Sequence, residues 1–129
     1  GTELKNNSKI GNFVEIKKAT IGKQSKVNHL SYIGDATVEG NVNIGAGTII
    51  ANYDGFMKHE TYIGNNVFVG SNSTLISPLN IEEGSIIAAG SVVTEDVDKD
   101  ALAIARAPQK NMEGWANDYR ARKLEEKNK

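Results

Sequence analysis

An aliphatic residue returns about every six positions through most of this 129-residue chain, and that period leaves few folds open. The series is Leu4, Ile10, Ile16, Ile21, Val27, Ile33, Val38, Ile44, Ile50, Ile63, Val69, Leu75, Ile81, Ile87 and Val93. The step is five at Ile16–Ile21 and Ile33–Val38, and thirteen at Ile50–Ile63. Four positions after the aliphatic a Ser, Thr or Val recurs, as at Thr20, Ser25, Ser31, Thr37, Thr48 and Ser73. A period of six suits neither an α-helix nor a half-buried strand, and hairpin signals of a β-sandwich are lacking. It suits an all-β fold, a parallel β-helix in which three hexads make one coil of a triangular prism. The aliphatic points inward, the small residue fills the space beside it, and the glycines serve the turns. Fifteen hexads predict five coils. At about 4.8 Å per coil the prism would stand roughly 24 Å tall.

The pattern breaks twice. Residues 51–62, ANYDGFMKHETY, read as an insertion looped out of the prism, a place where function often resides. After Val97 the repeat stops, so residues 1–97 are expected to form the β-helix and residues 98–129 a C-terminal arm, helical over 111–127. Covering the open end of the solenoid is the arm's expected structural duty.

Composition narrows the function. Fifteen Lys and Arg balance sixteen Asp and Glu, so nothing suggests a nucleic-acid binder or a strongly basic membrane surface. There is no cysteine to supply a disulfide framework, a thiolate nucleophile or a Cys-based metal site. No apolar run is long enough to span a membrane, and the opening GTELKNNSKI does not read as a signal peptide, so a cytoplasmic location is expected.

Every third hexad lies on one face, so the hexads beginning at Ile10, Val27, Ile44, Val69 and Ile87 should stack. Their third residues then form a column, Asn12, His29, Ala46, Ser71 and Ala89. Their sixth residues form another, Glu15, Tyr32, Ile49, Thr74 and Val92. His29 heads a strip of small side chains, with Glu15 and Tyr32 as expected neighbours. Such a strip could seat an extended ligand with its reactive end at the imidazole, which a nearby carboxylate can tune as a base. Small residues at β-helix corners would give the same strip for packing reasons alone.

The stretches GNFVEIKK, SKVNHLSYIGDA, NVNIGAGTIIANYDG, IGNNVFVGSNS, IAAGSVV and ALAIARAPQ resemble, in order, a known family. It is the acetyltransferase domain of bacterial bifunctional enzymes that combine glucosamine-1-phosphate N-acetyltransferase with N-acetylglucosamine-1-phosphate uridylyltransferase. The resemblance covers essentially all of residues 1–115. It implies a left-handed β-helix, a homotrimer with sites shared between subunits, and acetyl transfer from acetyl-CoA to the sugar 2-amine, leading to UDP-GlcNAc and the cell envelope. It implies His29 as general base and Glu15 as the carboxylate beside it. Lys17, Tyr32, Asn43 and Lys58 match residues that hold the sugar phosphate. Ala46, Asn52, Tyr53, Ser71, Ala89 and Arg106 match acetyl-CoA contacts, and no metal is implied for this site.

Two departures accompany the resemblance. Family members carry an Arg-Pro pair just ahead of the glycine matching Gly1, and that Arg contacts the sugar phosphate. The uridylyltransferase domain is not in this sequence, so nucleotide transfer is not expected of it. Hexapeptide carbonic anhydrases share the prism but gather three histidines, whereas only His29 and His59 occur here. An acyltransferase with another acceptor, or a non-enzymatic trimerising module, would also carry the repeat.

Overall fold

A computed structural model describes all residues, 1–129. Its strands are β1 (Glu3–Leu4), β2 (Lys9–Asn12), β3 (Glu15–Ile21), β4 (Lys26–His29), β5 (Tyr32–Val38), β6 (Asn43–Ile44) and β7 (Ile49–Ala51). They continue as β8 (Thr61–Ile63), β9 (Phe68–Val69), β10 (Thr74–Ile76), β11 (Leu79–Ile81), β12 (Ile86–Ile87), β13 (Val92–Val93) and β14 (Leu102–Ala103), followed by one helix, α1 (Trp115–Lys127). All strand-to-strand ladders are parallel, and each strand pairs with the equivalent strand one coil away. The result is the parallel β-helix that the six-residue period predicts.

The inward aliphatics stack in three ladders. Ile10, Val27, Ile44, Val69, Ile87 and Ala103 lie in register on one face. Leu4, Ile21, Val38, Ile63, Ile81 and Val97 do so on another. Eighteen apolar residues make one continuous core along the axis. Ser25, Ser73, Ser85 and Ser91 are fully buried beside them. Their hydroxyls bond backbone carbonyls or amides, as Ser73 Oγ does to the Gly70 carbonyl at 2.7 Å, so the burial leaves no polar group unsatisfied.

Several expectations need correction. Thr20 and Thr37 are not the inward small residues of their coils; Ala19 and Ala36 are, at 3% and 6% exposure. Strand side chains alternate, so the inward position counts back two from the next aliphatic, and a five-residue step shifts it by one. The glycines that follow the aliphatics are not mainly turn residues. A Cβ on Gly45 would lie 2.5 Å from the Ser71 backbone nitrogen, so close approach of the next coil demands glycine there. The left-handed corners fall on six Asn and Asp residues, on Phe13, Lys18, Gln24 and Leu30, and on other glycines such as Gly47, Gly84 and Gly90.

The prism also runs past residue 97, because β14 pairs with β12 and adds a rung to the first face. The loop is narrower than 51–62: Ala51 pairs with Ile76, while Thr61–Ile63 form β8, which leaves 52–60 outside the wall. The first part of the arm does cover the open end, with Ala101 and Ala103 packed against the core, whereas every residue from 104 on is exposed. Helix α1 has no buried residue. It starts four residues later than expected, after Gly114, whose φ of 73° marks a sharp change of direction. Trp115 and Tyr119 stack at 5.0 Å, and Arg122 lies over the Tyr119 ring at 5.7 Å, so its aromatic contacts are internal. No helix is long and apolar enough to cross a membrane.

Candidate active site

Backbone register builds the first outer column. Asn12 lies opposite His29. The Gly47 N–H donates to the His29 carbonyl at 3.1 Å, the Asn72 N–H to the Ala46 carbonyl at 2.8 Å and the Gly90 N–H to the Ser71 carbonyl at 2.8 Å. Arg106 closes the top, its guanidinium donating to the Ala89 carbonyl at 2.6 Å. The second column is equally regular: Glu15, Tyr32, Ile49, Thr74 and Val92 are successive partners. Both columns are therefore as the spacing predicts.

The ladder leaves something over. The backbone N–H groups of Ala46, Ser71 and Ala89 make no hydrogen bond within the chain. Three unpaired donors thus recur at coil spacing beside three small side chains. A row of that kind can hold the carbonyls of an extended amide-bearing chain or a developing oxyanion.

Other expected neighbours are not drawn together within one chain. The exposed His29 ring makes no hydrogen bond or ion pair, to Glu15, Tyr32 or any other group. Tyr32 turns the other way, its hydroxyl accepting from Asn52 Nδ2 at 3.2 Å. Lys17 stands opposite Gly34, and its ammonium has no ion-pair partner. Asn43 belongs to a different outer column of the His29 face, between Lys26 and Phe68.

Tyr53 and Lys58 sit in the 52–60 loop, joined by an antiparallel bridge. Asp54 organises that loop. Its carboxylate accepts from the Met57 N–H at 2.7 Å and the Phe56 N–H at 2.8 Å, and lies 2.8 Å from His59 Nε2. The Met57 bond first, then the His59 ring and the Phe56 bond, lower the Asp54 pKa to about 2. His59 is thereby occupied in shaping the loop.

One residue was missed by sequence reading. Asp35 Oδ2 accepts from Asn52 Nδ2 at 2.7 Å, a link the spacing could not reveal because the insertion interrupts the count just there. Only the amide nitrogen can donate to a carboxylate, so this contact also fixes which end of the Asn52 amide is which.

Comparison with known proteins agrees with this architecture. Residues 60–95 match the family model described as bacterial transferase hexapeptide (six repeats). The chain is 56% identical over 121 residues to the bifunctional protein GlmU of Marinobacter nauticus, covering 94% of this chain and 27% of that protein. To the bifunctional protein GlmU of Thermotoga petrophila it is 61% identical over 115 residues, covering 89% of this chain and 26% of that one. This chain belongs to the acetyltransferase part of the GlmU family. It spans about a quarter of the length of the curated relatives it matches. Among solved structures, a point mutant of AntD, an N-acyltransferase from Bacillus cereus, superposes with a TM-score of 0.72 at 18% identity. That alignment covers 97% of this chain and 85% of AntD, and it speaks for the shared fold.

Proposed function

We propose that this chain transfers the acetyl group of acetyl-CoA to the 2-amino group of glucosamine-1-phosphate, forming N-acetylglucosamine-1-phosphate. The observation that carries the reading is the first outer column, with the His29 imidazole one coil above Asn12 and three small residues bearing unpaired N–H groups above it. The pantetheine arm of acetyl-CoA is a long, thin chain with amide carbonyls, which fits a shallow track edged by evenly spaced donors. Ala46, Ser71 and Ala89 would line it, and Asn52, Tyr53 and Arg106 would flank it.

His29 accepts a proton from the amine as the carbon–nitrogen bond forms, since only an unprotonated amine attacks a thioester. The carbon–sulfur bond then breaks, and the proton passes to the departing thiolate. The Ala46 N–H, one coil from His29, is the donor for the tetrahedral oxyanion. No covalent acyl-enzyme is needed, which accords with a chain without cysteine. Lys17, Lys58, Tyr32 and Asn43 would face the sugar phosphate.

A shared site in a homotrimer accounts for Asn43 and Lys58 standing away from His29 within one chain. Phe68, Ile86 and Leu102 form an in-register outer column, each about half exposed, as expected of a face that meets another copy. The test is acetyl transfer followed by thiol release across a panel of amino acceptors, with light scattering on the same sample. Turnover with glucosamine-1-phosphate well above other amines, on a three-chain particle, is the expected result. An active monomer, or preference for another acceptor, would overturn the corresponding part.

A further inference from the structure

We infer that Asp35 is a positioning residue for this transfer, fixing the Asn52 amide and through it the Tyr32 hydroxyl. The inference rests on the reading above for its chemistry, but its geometry stands independently. Asp35 occupies a left-handed corner of β5, with φ of 49°. Counting on from the Tyr32–Ile49 pair sets it opposite Asn52, at the point where the 52–60 loop leaves the wall.

Asn52 Nδ2 has two hydrogens and spends both: one goes to Asp35 Oδ2 at 2.7 Å, the other to the Tyr32 hydroxyl oxygen at 3.2 Å. Two consequences follow from the donor count alone. The Tyr32 oxygen is an acceptor inside this chain, so its own hydrogen remains free to donate outward. Asn52 can present only Oδ1 to a ligand. Asn52 is 7% exposed, yet no buried side-chain polar atom lacks a partner, so the unbonded Oδ1 opens to solvent. Asp35 thereby makes Asn52 an acceptor and Tyr32 a donor, on the acetyl-CoA and sugar sides respectively.

Glycine leaves room for the arrangement. A Cβ on Gly34 would run into the Tyr32 hydroxyl and lie 2.7 Å from Asn52 Nδ2, so the pair occupies space that a side chain at position 34 would contest. A bland account of Asp35 exists, since Asp tolerates left-handed backbone better than most residues. Asn tolerates that backbone equally, which separates the two accounts.

The experiment is a double-mutant cycle on the full chain with Asp35→Ala, Asn52→Ala and both, with Asp35→Asn as the conservative control. Loss of one charge-assisted bond predicts that Asp35→Ala lowers kcat/KM for both substrates about ten- to a hundredfold. In the Asn52→Ala background the same change should cost less than about twofold, because the positioned group is already gone. Asp35→Asn, keeping the corner but not the charge, should lose less than Asp35→Ala and melt with wild type. The Asn52 side-chain amide resonances of the ligand-free protein report the contact without any turnover, and should move in both Asp35 variants. Additive losses, unchanged kinetics in Asp35→Ala, or unmoved amide resonances would each overturn the inference. A wild-type chain that transfers no acetyl group would sink the functional reading instead, with the resonances still deciding whether Asp35 fixes Asn52.

Discussion

Two columns climb the same face of the prism within two residues of each other, and they obey opposite rules. The inner one, Ile10, Val27, Ile44, Val69, Ile87 and Ala103, is aliphatic throughout, and Val27 through Ile87 are buried to 2% exposure or less. The outer one changes character partway, from Asn12 and His29 to Ala46, Ser71 and Ala89. Inner side chains displace water and must fill a fixed cross-section, so their chemistry cannot vary. Outer side chains touch little of their own chain, and the backbone ladder that holds them is indifferent to their identity. On the proposed function, stability and chemistry fall to different residues of the same strands.

The sharpest way to break this division is His29→Ala. Acetyl transfer should fall on the order of 10²–10⁴ through loss of the positioned base, while acetyl-CoA binding and melting temperature hold. Near-normal turnover at neutral pH would make His29 a structural residue. The mirror-image change is Ile44→Ala, one coil up and inward, which should cost about 2–5 kcal/mol in urea unfolding at fixed protein concentration. A loss below about 1 kcal/mol would mean that the coils collapse readily to fill a cavity, and that inner residues are less constrained than argued. Ser71→Leu is the mildest. It should weaken acetyl-CoA binding about tenfold, or about 1.4 kcal/mol. Stability should stay within about 0.5 kcal/mol of wild type, since the added bulk stands outside the wall. Unchanged affinity would show that the small residues serve packing alone.

Both columns could be read from the sequence because a single period sets register, and register in a parallel ladder fixes neighbours one coil away. One residue's step along a strand separates inside from outside, and the left-handed corner at Leu30 breaks that alternation beyond Val27, which leaves His29 exposed. What depended on local exceptions was harder. Ala19 and Ala36 hide behind a five-residue step. The Asp35–Asn52–Tyr32 link lies where the insertion interrupts the count, and hydrogen-bond partners of a loop side chain have no periodicity to betray them. Expecting Glu15 and Tyr32 to gather around His29 assumed that adjacent columns lean together. Within one chain Tyr32 leans toward Asn52 instead, drawn by a donor that only the fold supplies. The helix was visible as a helix, but a 13-residue segment with no buried side chain carries no internal record of what it packs against.

The strict vertical registry of the wall also bears on inheritance. Leu4, Ile21 and Val38 are successive partners, so these coils repeat every 17 residues and bond only to the coils above and below. A tandem duplication of one such stretch would insert a whole storey, lengthening the groove by one step while every other neighbour relation survives. A single-codon deletion inside a strand does the reverse: it rotates the following side chains from wall to exterior and sets the two halves out of phase. Genes for such walls are therefore expected to differ in length by whole coils, or by loops such as 52–60 that leave and rejoin at the same rung.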